Sequence, residues 1–339
     1  MSISWGAANA RARGLATHLL DRDSLLQAAA AGSWPAATRT IVQRGYPLSD
    51  GGSGLTPAEF DRAAGQVLAD RLALLRPWLG SGSAALAVLT EAAECRALRR
   101  LLRGTVQGAS RSARLRGAVP TPGLPARALD RLAGASTPAD LAAALTRMGH
   151  PAGPVLQAAA GSATVSSLWR LEGALARLFA GRASRAARHA GRAVRRFTAS
   201  LIDLENAQSL LLRSEWGPDV PPEEVFLPGG LVLDRARFAT AARLAAERVG
   251  SALEEWFGRT PLGPAFADAG GPMAFEARAL GALVAWQRRE GRRDPLGPGV
   301  VLEVIERMRA EAHDVRLVSS AVDLGAPRGV VAAALVTDA

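Results

Sequence analysis

Three acidic residues at even spacing are the first candidates for chemistry in this sequence. Glu94, Asp203 and Glu311 are separated by 203 − 94 = 109 and 311 − 203 = 108 residues. Carboxylates can serve as general acid and base when different environments push their pKa values apart. These three instead occupy the same position in three similar segments, so the alternative is that each binds a neighbouring group and fixes the next helix. We favour this structural role over catalysis.

Each acid begins a segment that ends in a glycine fourteen residues later. The three copies read ECRALRRLLRGTVQG, DLENAQSLLLRSEWG and EAHDVRLVSSAVDLG, and they end at Gly108, Gly217 and Gly325. Known solenoid repeats run about 20–50 residues, so a period of this length indicates three small helical domains. We expect them at residues 1–118, 119–224 and 225–339.

Other residues recur in the same phase. Arg99 and Arg316 lie nine residues before the final glycine, where the middle copy has Gln208. A second acid recurs earlier in each copy, at Asp61, Glu172 and Glu276. The turns Pro122-Gly123 and Pro228-Gly229 lie near the starts of the second and third copies. Each unit is therefore predicted to run from a turn, through one acid-bearing helix, to the acid–glycine helix.

Composition predicts an all-α fold. Apolar residues make up 48% of the 339 residues and aromatic residues 5%, with alanine and leucine dominating. This composition is typical of helices rather than strands. No alternating strand pattern is evident, so the three repeated units are expected to be helical throughout.

Local signals predict several helix boundaries. A helix is expected from Asn9 to Gln27, and Thr56 is the predicted N-cap of another because a proline follows it. Thr137 also precedes a proline, and another helix is expected to start there in the same way. Pro77 and the GSGS sequence at Gly80–Ser83 are expected to interrupt the chain before the first acid–glycine helix. In the third copy, helical spacing predicts one buried stripe of Val301, Ile305, Met308, Ala312, Val315 and Ser319.

Several catalytic and cofactor classes are excluded by residue type. All 41 basic residues are arginine, so the chain has no P-loop, Schiff-base, pyridoxal-phosphate or kinase lysine. Its one cysteine, Cys95, cannot form an internal disulfide, which favours a reducing compartment. The four histidines are not spaced as metal ligands, and no GxSxG motif is present. We expect no enzyme activity, no cofactor and no metal.

No targeting or membrane-spanning segment is predicted. The N-terminal residues lack a continuous apolar stretch. The longest apolar run, residues 330–336, is far shorter than the ~20 residues that cross a bilayer. The chain is expected to be soluble or peripheral to a membrane.

Basic residues cluster in the string GRASRAARHAGRAVRRF, within a chain of net charge +10. A helix there would place five arginines on one stripe: Arg182, Arg185, Arg188, Arg192 and Arg195. Such a stripe could neutralise the phosphates of nucleic acid or anionic lipid, meet an acidic protein, or simply face solvent. Because no aromatic residues interleave the arginines, we expect no nucleic-acid partner. A helical nucleic-acid-binding protein is the alternative.

The order and spacing of these segments resemble the C subunit of bacterial and archaeal V-type and A-type ATPases, a relative of the eukaryotic d subunit. The resemblance covers essentially the full length. It rests on NARARGLATHLL, ECRALRRLLRGTVQG, LIDLENAQSLLLRSEWG with VFLPGG, and the C-terminal RRDPLGPGVVLEVIERMRAEAHDVRLVSSAVDLG. The family's asparagine-plus-arginine repeat core corresponds here to Asn206 with Gln208, Ala97 with Arg99, and Asp314 with Arg316.

The resemblance implies a funnel-shaped protein of three similar helical domains about a pseudo-threefold axis. It also implies a non-catalytic rotor subunit, without a cofactor, on the cytoplasmic face of the membrane. Its implied partners are the proteolipid ring and the shaft subunits D and F, in a hetero-oligomer that couples ATP turnover to transport of H⁺ or Na⁺. The residues expected to hold the repeat helices are Glu94, Arg99, Asp203, Asn206, Arg213, Glu311 and Arg316.

Overall fold

The computed structural model describes residues 5–48, 52, 54–159, 168–213, 220–267 and 271–337. These residues form helices and turns with no β-strand among them, which confirms the all-α prediction. The helices of the first half are α1 (Gly6–Ala16), α2 (Arg22–Ala29), α3 (Trp34–Gln43), α4 (Pro57–Leu79), α5 (Ala84–Val106), α6 (Arg111–Leu115), α7 (Ala126–Leu132), α8 (Pro138–Arg147) and α9 (Ala152–Ala159). Those of the second half are α10 (Leu168–Ala187), α11 (Gly191–Leu211), α12 (Pro222–Val225), α13 (Arg235–Ala242), α14 (Ala246–Phe257), α15 (Gly271–Arg293), α16 (Gly299–Asp323) and α17 (Arg328–Ala334).

The chain divides into two compact units. The first unit combines Met1–Ser83 with Thr260–Ala339, and the second unit is Ala84–Arg259. Within the first unit, α16 lies against α1, α2 and α4, so the two ends of the chain share one core. The division into three consecutive domains with boundaries at 118 and 224 stays a prediction.

The acid–glycine helices are α5, α11 and α16, and two of them pack against the first long helix of the following copy. In the second unit α5 packs along α10, and in the first unit α16 packs against α4. Because α10 and α4 carry the corresponding acids Glu172 and Asp61, these two contacts are of the same kind. The first copy therefore contributes its last helix, α5, to the core of the second copy. In the same way the third copy contributes its last helix, α16, to the core of the first copy.

Apolar side chains at helical spacing build the core of each unit. In the second unit Leu98 and Leu102 of α5 are buried in one cluster with Phe179 of α10. In the first unit Val315 of α16 joins a cluster with Phe60 of α4. The stripe predicted on α16 is buried at all six positions, which confirms that prediction.

Both predicted threonine N-caps are confirmed. The side chains of Thr56 and Thr137 accept the N–H of Glu59 and Asp140, and these acids accept the threonine N–H groups in return at 2.9 and 3.0 Å. This capping box binds backbone donors that the start of a helix leaves without partners. The two helix starts could be predicted because every group involved lies within one turn.

The continuous helix predicted from Asn9 to Gln27 is wrong. Residues 17–21 leave the helix, and Asp21 caps α2 by accepting the N–H of Ser24 at 2.8 Å. Leu20, inside this break, donates its own N–H to a distant carboxylate. A tertiary contact therefore replaces the helical hydrogen bond that the local sequence favours.

The interruption predicted before the first acid–glycine helix is confirmed at Gly80–Ser83 but is wrong at Pro77. The helix α4 continues through this residue to Leu79, and a 3₁₀ turn at Gly80–Ser83 follows. Leu75 and Leu79 on either side are buried. Their burial holds the last turn in place despite the hydrogen bond that proline removes.

Candidate functional site

The middle acid, Asp203, binds the turn that precedes α13. Its side chain is buried and accepts three successive backbone N–H groups at 2.8–3.2 Å, from Leu231, Val232 and Leu233. Burial raises the pKa of Asp203, and the three N–H groups oppose that rise because they stabilise the charged form. Asp203 thereby fixes the approach to the first short helix of the third copy.

The first acid, Glu94, binds the corresponding turn before α7. Its Oε1 accepts the Thr121 hydroxyl at 2.6 Å, and that hydroxyl oxygen accepts the N–H of Leu124 at 3.0 Å. Its Oε2 lies 3.4 Å from Nε2 of His150. Because Nδ1 of His150 accepts the N–H of Ala152, the proton of the neutral ring is on Nε2 and faces Glu94.

The third acid, Glu311, binds the turn before α2, near the other end of the chain. Its Oε1 accepts the N–H of Leu20 at 2.8 Å, and its Oε2 forms a buried ion pair with Arg71 of α4. Burial raises the pKa of Glu311, while Arg71 and the Leu20 N–H favour the charged form. Each acid therefore holds the turn before the next short helix. We call these three acids and their turns the acid clasps.

A glycine lies against the acid in two of the acid clasps. A Cβ added at Gly123 would overlap Oε1 of Glu94, and one added at Gly230 would overlap Oδ1 of Asp203. The repeated Pro-Gly motif aligns Gly123 with Gly229. The glycine that contacts the acid in the second turn is Gly230, one residue later. Both positions require glycine because the backbone lies too close to a carboxylate to leave room for a Cβ atom.

Gly230→Ala should displace the Asp203 carboxylate and destabilise the second unit by about 1–3 kcal/mol, the usual cost of an added methyl group in a packed site. Urea unfolding followed by circular dichroism measures the change. Gly250→Ala in α14 is the control, because its added Cβ meets nothing within 4 Å and alanine favours a helix by about 1 kcal/mol. Equal midpoints for the two variants would contradict the acid clasp.

Three residues after the acid, a second polar side chain binds the backbone in two copies. Asn206 donates Nδ2–H to the carbonyl of Leu227 and accepts its N–H, both at 2.8 Å. Asp314 accepts the N–H groups of Val336 and Thr337 at 2.7–3.1 Å. The first copy has Ala97 at this position, which has no polar group to offer.

Two of the repeat glycines end their helices in the same way. Gly108 and Gly325 each have a φ of +64°, a conformation that glycine adopts without steric cost. The residues that follow them, Ala109 and Ala326, donate N–H to carbonyls of the last helical turn at 2.8 Å, which is the Schellman arrangement. Gly217 lies outside the described residues.

The recurring arginines pair with the recurring earlier acids. Arg99 of α5 lies 2.8 Å from Glu205 and 3.4 Å from Glu172 of α10. Arg316 of α16 lies 3.1 Å from Asp61 of α4. Burial disfavours the charge on Arg99, but Glu205 and Glu172 outweigh it and raise the pKa of this residue. Both arginines therefore join the last long helix of one copy to the first long helix of the next.

Sequence reasoning missed Arg71 and assigned Arg182 to a surface stripe, whereas both arginines bind across the same helix pairs. Arg71 and Arg182 each lie ten residues after a recurring acid, Asp61 and Glu172 respectively. Arg71 binds the third acid, and Arg182 donates Nε–H to the carboxylate of Glu91 at 2.7–2.8 Å. This shared spacing is the signal that a comparison of the copies could have used.

Arg213 binds the C-terminal end of α13. Its guanidinium donates to the carbonyl of Leu244 at 2.6 Å and to that of Ala242. Arg114 donates in the same way to two carbonyls that follow α7. The end of this short helix is thus held by an arginine in both the second and the third copies.

The predicted arginine stripe does not lie on one helix. α10 ends at Ala187 and α11 begins at Gly191, whose φ of +86° suits a chain reversal rather than a continuing helix. Arg182 is engaged by an acid, while the other four arginines of the set are exposed: Arg185, Arg188, Arg192 and Arg195. We call these four residues the arginine corner. Residues 173–202 contain no aspartate or glutamate, so its charge is not balanced locally along the chain.

Cys95 is buried in the core of the second unit, and burial raises its pKa to about 12. Because the thiolate is the reactive form, we expect no reaction with a thiol reagent near neutral pH until the second unit unfolds. Labelling of Cys95 across a urea series, compared with loss of helical circular dichroism, measures this. Rapid labelling of the native protein would contradict the buried position.

The recurring acids and arginines described above bind one another or the backbone of neighbouring turns. Among the described residues no group of three histidine, cysteine, aspartate or glutamate side chains could hold a metal ion. None of the helices there has both the length and the apolar character needed to cross a bilayer. The fold and the acid clasps together define an all-helical repeat protein whose buried polar residues bind helices to turns.

The chain belongs to the ATP synthase (C/AC39) subunit family, whose model matches residues 8–332. It is also similar to the C subunit of the V-type ATP synthase of Thermus thermophilus, with 31% identity over 200 residues to the proteins of two strains of that organism. Each match covers 58% of this chain and 58% of the relative. Family membership confirms the resemblance seen in the sequence.

Proposed function

We propose that the chain is a non-catalytic central-stalk subunit of a rotary V-type or A-type ATPase. It sits on the cytoplasmic face of the membrane and links the proteolipid ring to the shaft subunits D and F. In this role it passes rotation between ATP turnover and transport of H⁺ or Na⁺. Family membership across residues 8–332 carries the proposal. The role calls for three similar domains, at 1–118, 119–224 and 225–339, in a funnel-like pseudo-threefold arrangement.

The acid clasps support this role on physical grounds. An adaptor that transmits torque must keep its helices and turns in register under load. Each acid clasp joins segments far apart in the chain, such as Leu20 and Glu311, through directional contacts that cost energy to break when buried. The residues assigned to this stiffness are Glu94, Arg99, Asp203, Asn206, Arg213, Glu311 and Arg316.

The arginine corner supports a contact with a second component of the complex. Four exposed guanidinium groups beside a single turn create a positive surface, because no aspartate or glutamate occurs in residues 173–202. Acidic protein surfaces and anionic lipid heads both complement such a surface. We assign the corner to partner binding, in contrast to the acid clasps inside the fold.

A pull-down tests the proposed function. The tagged full chain is recovered from gently solubilised membranes, and its companions are identified by mass spectrometry. Recovery of proteolipid and shaft subunits in matched amounts supports the rotor role. Recovery of nucleic acid without those subunits would contradict it and favour the nucleic-acid-binding alternative, in which binding falls steeply with salt because counterions are released.

A variant of the arginine corner separates partner binding from folding. Arg188→Ala with Arg192→Ala should leave the melting temperature within about 1–2 °C of the wild type, because surface substitutions change stability little. Recovery of at least one companion, or of anionic vesicles, should fall several-fold. Arg127→Ala with Arg131→Ala removes the same charge from exposed positions on α7 and is the control. Equal recovery with both double variants would argue against a specific role for the corner.

A further inference from the structure

A polar cavity lies in the first unit beside the third acid clasp. It has a volume of about 140 Å³ and is bordered by α15, α16, residues 19–21 and residues 336–337. Arg288, Arg307 and Thr337 line it, and Arg288 also pairs with Glu303 at 3.3 Å. A cavity of about 150 Å³ accepts a ligand the size of benzene. The space is therefore sufficient for an inorganic oxyanion.

The two arginines of this cavity occur only in the third copy. In the register of the repeat, the first copy has Ala73 and Thr90 at these positions, and the middle copy has Ser184 and Ala199. None of these four side chains carries a charge, and the acid clasps of those copies form without one. The arginines are therefore not part of the architecture that the copies share.

In the middle copy the corresponding place has no arginine and a larger apolar side chain. The residue that corresponds to Thr337 is Gly229, where an added Cβ would lie 3.2 Å from Ile202 and 3.6 Å from Ser184. The third copy has Ala310 in place of Ile202, which removes bulk at the site of the cavity. The third copy therefore combines a smaller apolar residue with two additional cations at this place.

Arg307 is the feature of the cavity that points to an anion. Arg307 forms no ion pair with any carboxylate of the described residues. The Thr337 hydroxyl oxygen is buried, and the described part of the chain supplies it with no hydrogen-bond partner. The two acids at the cavity, Asp21 and Glu311, are bound to the start of α2 and to Arg71 respectively. The polar lining therefore consists of two guanidinium groups, two carboxylates that are already bound elsewhere, and one hydroxyl.

We propose that this cavity binds a small oxyanion of the phosphate class. The guanidinium groups of Arg288 and Arg307 bind its oxygens through charge-assisted hydrogen bonds, for which their planar geometry is suited, and the Thr337 hydroxyl donates a further one. The anion would bridge α15, α16 and the tail at residues 336–337, beside the turn that Glu311 holds. Free phosphate and the headgroup of a phospholipid share this chemistry.

Isothermal titration of the full chain with inorganic phosphate tests the proposal, with sodium chloride at matched ionic strength as the blank. We expect saturable binding at one site. Arg307→Ala should weaken it about tenfold or more, because a hydrogen bond to a charged group carries that much affinity, and Thr337→Val should weaken it less. Arg289→Ala is the control, since this exposed neighbour on α15 does not line the cavity, and it should bind like the wild type.

Flotation with vesicles that contain phosphatidic acid distinguishes the two sources of phosphate. Capture by vesicles that Arg307→Ala abolishes, without binding of free phosphate, supports a headgroup as the ligand. Binding of neither probe, or binding that Arg307→Ala leaves unchanged, would overturn the site.

Discussion

Glu311→Ala is expected to destabilise the first unit by about 3–5 kcal/mol, the usual cost of removing one partner of a buried ion pair. The substitution leaves the Arg71 guanidinium buried without its counter-charge and the N–H of Leu20 without its acceptor. For a unit of this size the melting temperature should fall by about 10 °C. Thermal unfolding followed by circular dichroism measures the change.

Glu290→Ala is the matched control, because it removes a glutamate whose partner Arg293 is 75% exposed. Exposed pairs contribute less than about 1 kcal/mol. The double variant Arg71→Met with Glu311→Gln should recover part of the lost stability, since neither member of this pair leaves a charge buried and glutamine still accepts the N–H of Leu20. Equal melting temperatures for Glu311→Ala and Glu290→Ala would refute the third acid clasp.

Asp203→Ala is expected to cost the second unit about 2–4 kcal/mol. Three backbone N–H groups lose their acceptor, and that of Leu233 is buried, where water cannot replace the carboxylate. Hydrogen exchange should report the same loss locally, with reduced protection of the Leu231, Val232 and Leu233 amides. Urea unfolding gives the global value.

Asp234→Ala is the control for this variant, because it removes a neighbouring aspartate that caps α13 from an exposed position. Loss of an N-cap costs about 1 kcal/mol, so the two variants should differ clearly. An unchanged melting temperature for Asp203→Ala together with loss of rotor partners would move Asp203 from the interior of the fold to a binding surface.

Some helix boundaries can be predicted from neighbouring residues and others cannot. The starts of α4 and α8 follow from Thr56 and Thr137, because an N-cap binds groups within its own first turn. The break after α1 does not follow from its neighbours. It depends on the contact between Leu20 and Glu311, which are 291 residues apart.

The arginines also show which contacts residue spacing does not predict. Residue spacing placed Arg182 on a surface stripe with four others, but the structure ends α10 before the stripe is complete and gives Arg182 a carboxylate partner. Spacing also left out Arg71, although its separation from Asp61 equals that of Arg182 from Glu172. Helical phase predicts which residues share a face and leaves open what that face contacts.

The sequence by itself determined the all-α class, the phase of the acids and glycines, and the family. These features depend on residue type and on spacing along the chain, both of which are read directly from the sequence. The tertiary structure decided that Asp203 binds three backbone N–H groups, that Glu94 faces His150, and that two arginines line a cavity beside Glu311. The physical reason is that these contacts join groups from separate helices and turns, and only the packing of those elements selects which groups meet.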